Sequence, residues 1–108
     1  MTYSNYKSLV AEAANSSSDN MFIAEYGYPA DSPYSPETLI KMLRMICAVA
    51  RRDIVYISEQ FRTRKAFSEF VGVKYDTVLS WISGERTPPE YLVDFIGFAL
   101  ISELPTEE

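Results

Sequence analysis

The amino-acid sequence predicts an all-α protein, a compact bundle of about five helices with an irregular N-terminal arm. From residue 36 onward, apolar side chains recur at three- and four-residue steps, which is the spacing of a buried helix face. Serine or threonine stands before two of these segments and glycine after two, as is typical of capped helix ends. A chain of 108 residues with 47% hydrophobic and 23% charged residues can bury one core and form one domain.

Residues 1–35 are expected to form a short helix followed by the arm. A helix over residues 3–14 would place on one face the apolar residues Tyr6, Leu9, Val10 and Ala13. Residues 15–20 are polar and predict a linker. Prolines then recur at positions 29, 33 and 36, and because proline is excluded from helix interiors, residues 21–35 are expected to be extended.

A long apolar helix is predicted to begin after Ser35, a capping residue followed by proline and a carboxylate. Between residues 39 and 50 only Lys41 and Arg44 are charged, so this helix must be buried on several sides. It is either the spine of the domain or an interface with a second subunit. Residues 54–61 continue the helical spacing, and the sequence leaves open whether they extend the same helix.

Two short helices are predicted within residues 64–83. Thr63 can cap the first of them, and Gly72 can end it in the left-handed conformation that glycine tolerates. The second begins after only two further residues and ends at Ser83 and Gly84. The side chains expected to face inward are Phe67, Phe70, Val71, Val78, Trp81 and Ile82.

A last helix is predicted up to residue 103, and it completes a helical region over residues 36–103. Residues 104–108 are expected to form a frayed acidic tail. Both the 36–50 and the 90–103 helices carry surplus apolar surface, so the chain is expected to form a homodimer. Either helix is a candidate for the interface.

The formal net charge of -5 hides a strong asymmetry along the chain. Residues 41–89 hold nine Lys or Arg against five carboxylates, a net +4, whereas residues 1–40 and 90–108 are both acidic. The positive charge therefore surrounds the 64–83 helices. A basic cluster is typical of phosphate contact, although charged clusters are also common as solvated surface.

Several classes of function find no support in the composition. The chain has no histidine and one cysteine, so an imidazole-based catalytic site or a thiolate metal cluster is not expected, and its four glycines are too scattered for a phosphate-binding loop. We therefore expect neither an enzyme nor a cofactor or metal. Cys47 lies in an apolar run and should be a buried, reduced thiol. The absence of a long apolar segment and of a secretory N-terminus predicts a cytoplasmic protein without a membrane partner.

The 64–83 segment resembles the helix-turn-helix of the phage-repressor or Cro-like DNA-binding family. The match consists of a small residue, Ser68, a glycine four positions later, Gly72, and a β-branched residue six positions after that, Val78. Apolar residues occupy the remaining motif positions, Phe67, Val71, Val73 and Trp81. The phrase from Trp81 through Gly84 and Arg86 to Pro88 is similar to the loop that follows the second helix in this family. The resemblance covers residues 54–103.

The resemblance implies a small transcriptional regulator, a repressor or autoregulator, which binds duplex DNA as a homodimer with the 75–83 helix in the major groove. The base-contact residues that it implies are Lys74, Tyr75, Asp76, Thr77, Leu79 and Ser80. Among these, Asp76 can accept from a cytosine amino group and Leu79 can pack on a thymine methyl. The implied phosphate contacts are Arg62, Arg64, Lys65 and Arg86.

Two residues depart from the family pattern. The family often has Ser or Thr where this chain has Lys74, and lysine cannot cap a helix N-terminus in that way. Asp76 places a negative charge on a face intended for a polyanion. A second hypothesis is therefore a protein-binding module on a helix-turn-helix scaffold, such as an antitoxin-like or anti-defence protein, whose acidic ends engage a basic protein partner.

Overall fold

The computed structural model describes residues 1–27 and 32–104, and this part of the chain forms seven helices and no strands. The helices are α1 (Tyr3–Asn15), α2 (Asp19–Tyr26), α3 (Pro36–Arg51), α4 (Ile54–Glu59), α5 (Arg64–Val71), α6 (Tyr75–Ser83) and α7 (Glu90–Ser102). The all-α prediction is confirmed, with seven helices in place of about five.

Helix α3 is the spine of the protein. It begins where predicted, because the Ser35 hydroxyl accepts a hydrogen bond from the Thr38 amide at 3.1 Å. Half of its residues are buried, and α1, α2, α4 and α7 all pack against it. The apolar surplus of this helix is thus covered by the chain itself. Cys47 is among the buried residues, as predicted, and burial raises the pKa of its thiol to about 11.

The N-terminal arm is where the prediction was wrong. Residues 21–26, expected to be extended, belong to α2. The Ser18 hydroxyl caps this helix by accepting from the Met21 amide at 3.2 Å, and Phe22 is buried against the core. The Ser18 cap and the burial of Phe22 therefore stabilise a helix here. The first proline, at position 29, comes three residues after its end and does not interrupt it. Residues 28–31 of the expected arm lie outside the described residues.

A sharp bend separates α3 from α4, so residues 54–61 do not extend the spine. Arg52 adopts the left-handed conformation at φ 56°, and its amide donates to the last carbonyls of α3. Asp53 then caps α4 by accepting from the Tyr56 amide at 3.1 Å. The two additional helices are thus α2, which was not predicted, and α4, which this bend separates from α3.

Helix α1 closes one side of the core through the face predicted for it. Tyr6, Val10 and Ala13 are buried, and α1 packs on both α3 and α7. Gly97 of α7 permits this approach, because a Cβ atom there would lie 2.3 Å from Cγ2 of Val49 and 2.6 Å from the hydroxyl oxygen of Tyr6. Two helices therefore converge on a position that has no side chain.

Helix α7 is only partly buried, although its predicted bounds are close to those observed. Val93, Ile96 and Ile101 face the core, while Tyr91 and Phe95 remain 63% and 53% exposed. In the expected tail, Leu104 packs against the core, and residues 105–108 lie outside the described residues.

Candidate nucleic-acid interface

Helix α5 begins as the sequence predicts. The Thr63 hydroxyl accepts from the Ala66 amide at 3.0 Å and so satisfies one of the free amides of the first turn. Phe67 is fully buried, and its ring lies 5.0 Å from that of Phe61 between centroids. The exposed side of this N-terminus carries Arg64 and Lys65.

A three-residue turn joins α5 to α6. Gly72 stands at its start with φ 80°, where a residue with a side chain would be strained, and its amide donates to the Ser68 carbonyl at 2.9 Å. Ser68 is buried, and its hydroxyl donates to the Lys65 carbonyl at 2.8 Å, so its one polar atom is satisfied. Ser68 is one of the two buried residues of α5, and α5 packs against α6.

Helix α6 begins without a side-chain cap. Lys74 occupies the capping position in extended conformation, and no side-chain hydrogen bond closes the first turn. Asp76 lies in that first turn, where a carboxylate is stabilised by the partial positive charge of the helix N-terminus. Asp76 therefore stabilises the N-terminus of α6, where Lys74 occupies the capping position without forming a cap.

The six predicted base-contact residues lie together on the first two-thirds of α6 and the residue before it. Lys74, Tyr75 and Asp76 are exposed, with 45% of Tyr75 accessible, while Thr77, Leu79 and Ser80 are half-buried. Val78 and Trp81 point into the core, as predicted. The Ser80 hydroxyl donates to the Asp76 carbonyl at 3.0 Å, so its hydrogen is already engaged within the helix.

The predicted phosphate contacts are exposed, and along the chain they lie near the start of α5 and after the end of α6. Arg62 and Arg64 line one groove with Ile82 of α6, and Glu59 lies at the same groove. Arg86 follows α6 in a loop that begins at Gly84 with φ 83°, and its backbone amide donates to the Ser80 carbonyl at 3.1 Å. Cations therefore lie both at the start of α5 and after the end of α6.

None of these cations takes part in an ion pair among the described residues. The ion pairs of residues 1–27 and 32–104 join Lys7 to Asp94, Arg51 to Asp19 and Arg52 to Glu90. The basic residues near α5 and α6 are thus available to external anions, whereas Lys7, Arg51 and Arg52 are paired with carboxylates of the same chain.

Phe70 departs from its predicted place. It was expected to face inward, but it is 42% exposed, with its ring 5.1 Å from that of Phe61. The reason is helical geometry, because Phe67 and Ser68 take the centre of the buried face and leave Phe70 at its edge. Phe70 was predicted to be buried because it lies three residues after Phe67. That spacing does not distinguish a residue at the edge of the buried helix face from one at its centre.

The part of the chain that the structure describes contains no cluster of three or more metal-ligating side chains and no helix long and apolar enough to span a membrane. Compared with family models, curated proteins and solved structures, this chain has no match in any of the three.

Proposed function

We propose that this protein binds duplex DNA sequence-specifically, as a small transcriptional regulator that inserts α6 into the major groove. The observation that carries the proposal is the α5–α6 pair, in which a capped helix, a left-handed glycine turn and a small buried residue present one exposed helix. A helix presented in this way fits the width of the major groove, with its N-terminal residues toward the base edges.

The charge distribution supports the same proposal. Arg62, Arg64 and Lys65 precede or begin α5, Arg86 follows α6, and all four are exposed, so basic side chains lie before and after the helix pair along the chain. Phosphate contacts of this kind fix the register of a protein on the duplex, while base contacts determine sequence. The acidic ends of the chain predict weak non-specific binding.

The proposed regulator acts as a homodimer, and α7 is the better candidate for its interface. Helix α3 is covered by other helices of the same chain, whereas α7 leaves Tyr91 and Phe95 exposed and its aromatic neighbour Tyr3 half-buried. Sedimentation equilibrium should give a dimer for the native chain and a monomer for the Tyr91→Ser, Phe95→Ser double variant. A dimer that survives this double substitution would place the interface elsewhere.

Selection from a randomised duplex library tests the proposal directly. We expect one enriched site whose affinity falls with salt at a slope of about -0.9 per phosphate contacted, and Arg64→Ala should make that slope shallower by about one contact. Arg44→Ala, which removes an exposed cation from α3, is the matched control and should leave the slope unchanged. Lack of any salt-sensitive duplex binding would contradict the proposal.

A protein-binding module is the second candidate, and the composition of α6 favours it. This helix contains no lysine or arginine, carries Asp76 and exposes an aromatic ring at Tyr75. Such a face suits a basic protein partner better than a polyanion. Affinity purification from the native cell should then recover a stoichiometric basic protein, and Asp76→Lys should abolish its recovery. Recovery of this chain alone would argue against the second candidate.

A further inference from the structure

The exposed face of α6 has an unusual shortage of hydrogen-bond donors for a base-reading helix. Its nine residues include no Arg, Lys, Asn or Gln, the side chains that read purine edges in bidentate fashion. The hydroxyl of Ser80 donates to the Asp76 carbonyl at 3.0 Å, and that of Ser83 donates to the Ser80 carbonyl at 3.1 Å. Two of the hydroxyl donors on this helix are therefore engaged within it.

What the same face does offer is apolar surface. Tyr75 is 45% exposed, and Leu79 is half-buried with its remaining surface accessible. Residues four positions apart lie one above the other on a helix, with about 5–6 Å between their Cβ atoms. Bases in one strand are about 3.4 Å apart, so the two side chains would meet positions one or two base steps apart.

Asp76 adds an exclusion to this apolar pair. It lies next to Tyr75 in the first turn of α6, is exposed, and as a carboxylate it only accepts hydrogen bonds. Guanine presents two acceptors, N7 and O6, to the major groove and is repelled by this carboxylate, whereas the amino groups of cytosine and adenine can donate to it, so Asp76 selects an amino group at its own base position. Lys74 is the one amine next to α6, which confines any guanine contact to the N-terminal end of the helix.

We infer, on the basis of the proposed DNA-binding function, that the recognised site contains two thymines one or two base steps apart, whose C5-methyl groups are read by Leu79 and by the ring of Tyr75. Thymine is the one base that presents a methyl group in the major groove, and apolar side chains are the groups that recognise it. Leu79 and Tyr75 determine the sequence at these positions, because α6 has no Arg, Lys, Asn or Gln side chain that would read a purine edge there.

Replacing thymine by deoxyuridine tests this, because the change removes only the methyl group and leaves base pairing intact. In the selected duplex, deoxyuridine at two thymines one or two steps apart should each lower the affinity of the native protein by about fourfold, the effect of losing one buried methyl. Deoxyuridine at the other thymines should have no effect. A selected duplex whose affinity is indifferent to every replacement would overturn the inference while leaving DNA binding in place.

Variants assign the two methyl contacts to their side chains. Leu79→Ala should bind the thymine and deoxyuridine duplexes equally at one of the two positions, and Tyr75→Ala should do so at the other. Met21→Ala, an exposed apolar residue on α2, should keep both effects. If both variants kept the full deoxyuridine effect, the assignment would be wrong. Failure to select any duplex would instead remove the proposed function, and this inference with it.

Discussion

The hydroxyl of Tyr6 donates a hydrogen bond to the backbone carbonyl of Asp94 at 2.8 Å, and this bond joins α1 to α7 across 88 positions of the chain. Tyr6 is fully buried, and the neighbouring Lys7 pairs with the Asp94 carboxylate. The hydrogen bond to that carboxylate raises the pKa of Lys7. Asp94 of α7 is thus bonded to two consecutive residues of α1. These bonds attach the N-terminal helix to α7, the helix that follows α5 and α6 in the chain.

Tyr6→Phe isolates the hydrogen bond from the packing of the ring. We expect it to lower the free energy of unfolding by about 1 kcal/mol, since the ring stays and one buried hydrogen bond is lost. Urea denaturation measures the change. Tyr75→Phe, which removes a hydroxyl from an exposed ring, is the control and should change stability by less than about 0.5 kcal/mol. Equal effects of the two substitutions would mean that the Tyr6 bond contributes nothing.

Ser68 should tolerate a smaller side chain and reject a larger one. Leucine at this buried position would force α5 and α6 apart, and we expect a loss of about 1–3 kcal/mol in urea denaturation. Ser68→Ala should cost at most about 1 kcal/mol, because it loses only the bond to the Lys65 carbonyl. Ser8→Leu, the same enlargement at an exposed position of α1, is the control. A stable Ser68→Leu variant would show that the two helices do not need close contact.

The helix ends that depend on local chemistry could be predicted from the sequence. The caps at Ser35 and Thr63 and the left-handed exit at Gly72 involve atoms within four residues of one another, so the sequence pattern contains their cause. The arm was missed although its Ser18 cap is equally local, because the prolines that follow indicate an extended chain, whereas α2 is also stabilised by the burial of Phe22 and by packing on α3. Arg52 likewise adopts a left-handed conformation that the sequence gives no reason to expect.

The candidate site shows the same division. Which residues lie on α6 and which of them face outward follows from helical spacing, and Val78 and Trp81 are buried as that spacing predicts. The engaged hydroxyl of Ser80 and the exposure of Phe70 depend on rotamers and on competition for the buried face, and a linear pattern does not contain them. These features of α5 and α6 therefore emerged only in three dimensions.

Asp76→Asn should have opposite effects on stability and on DNA affinity. The carboxylate stabilises the first turn of α6, so its removal should cost about 0.3–1 kcal/mol. Loss of a negative charge facing the duplex should raise affinity for a scrambled duplex at low salt, as measured by fluorescence anisotropy. Glu25→Gln on α2 makes the same charge change away from α6 and should leave the affinity almost unaltered. Equal affinities of the two variants would indicate that α6 does not face DNA.

Cys47 should make the protein less stable in alkali. In the folded state burial raises the pKa of the thiol to about 11, while the unfolded chain ionises near the ordinary value of 9.0. Between these values the unfolded state binds fewer protons than the folded state, so stability is fully present below pH 9 and falls as pH rises, by up to about 1.4 kcal/mol per pH unit. Urea denaturation from pH 8 to pH 11 should show this fall in the native chain and a smaller one in Cys47→Ala. Parallel slopes for the two proteins would mean that the thiol ionises equally easily in the folded chain.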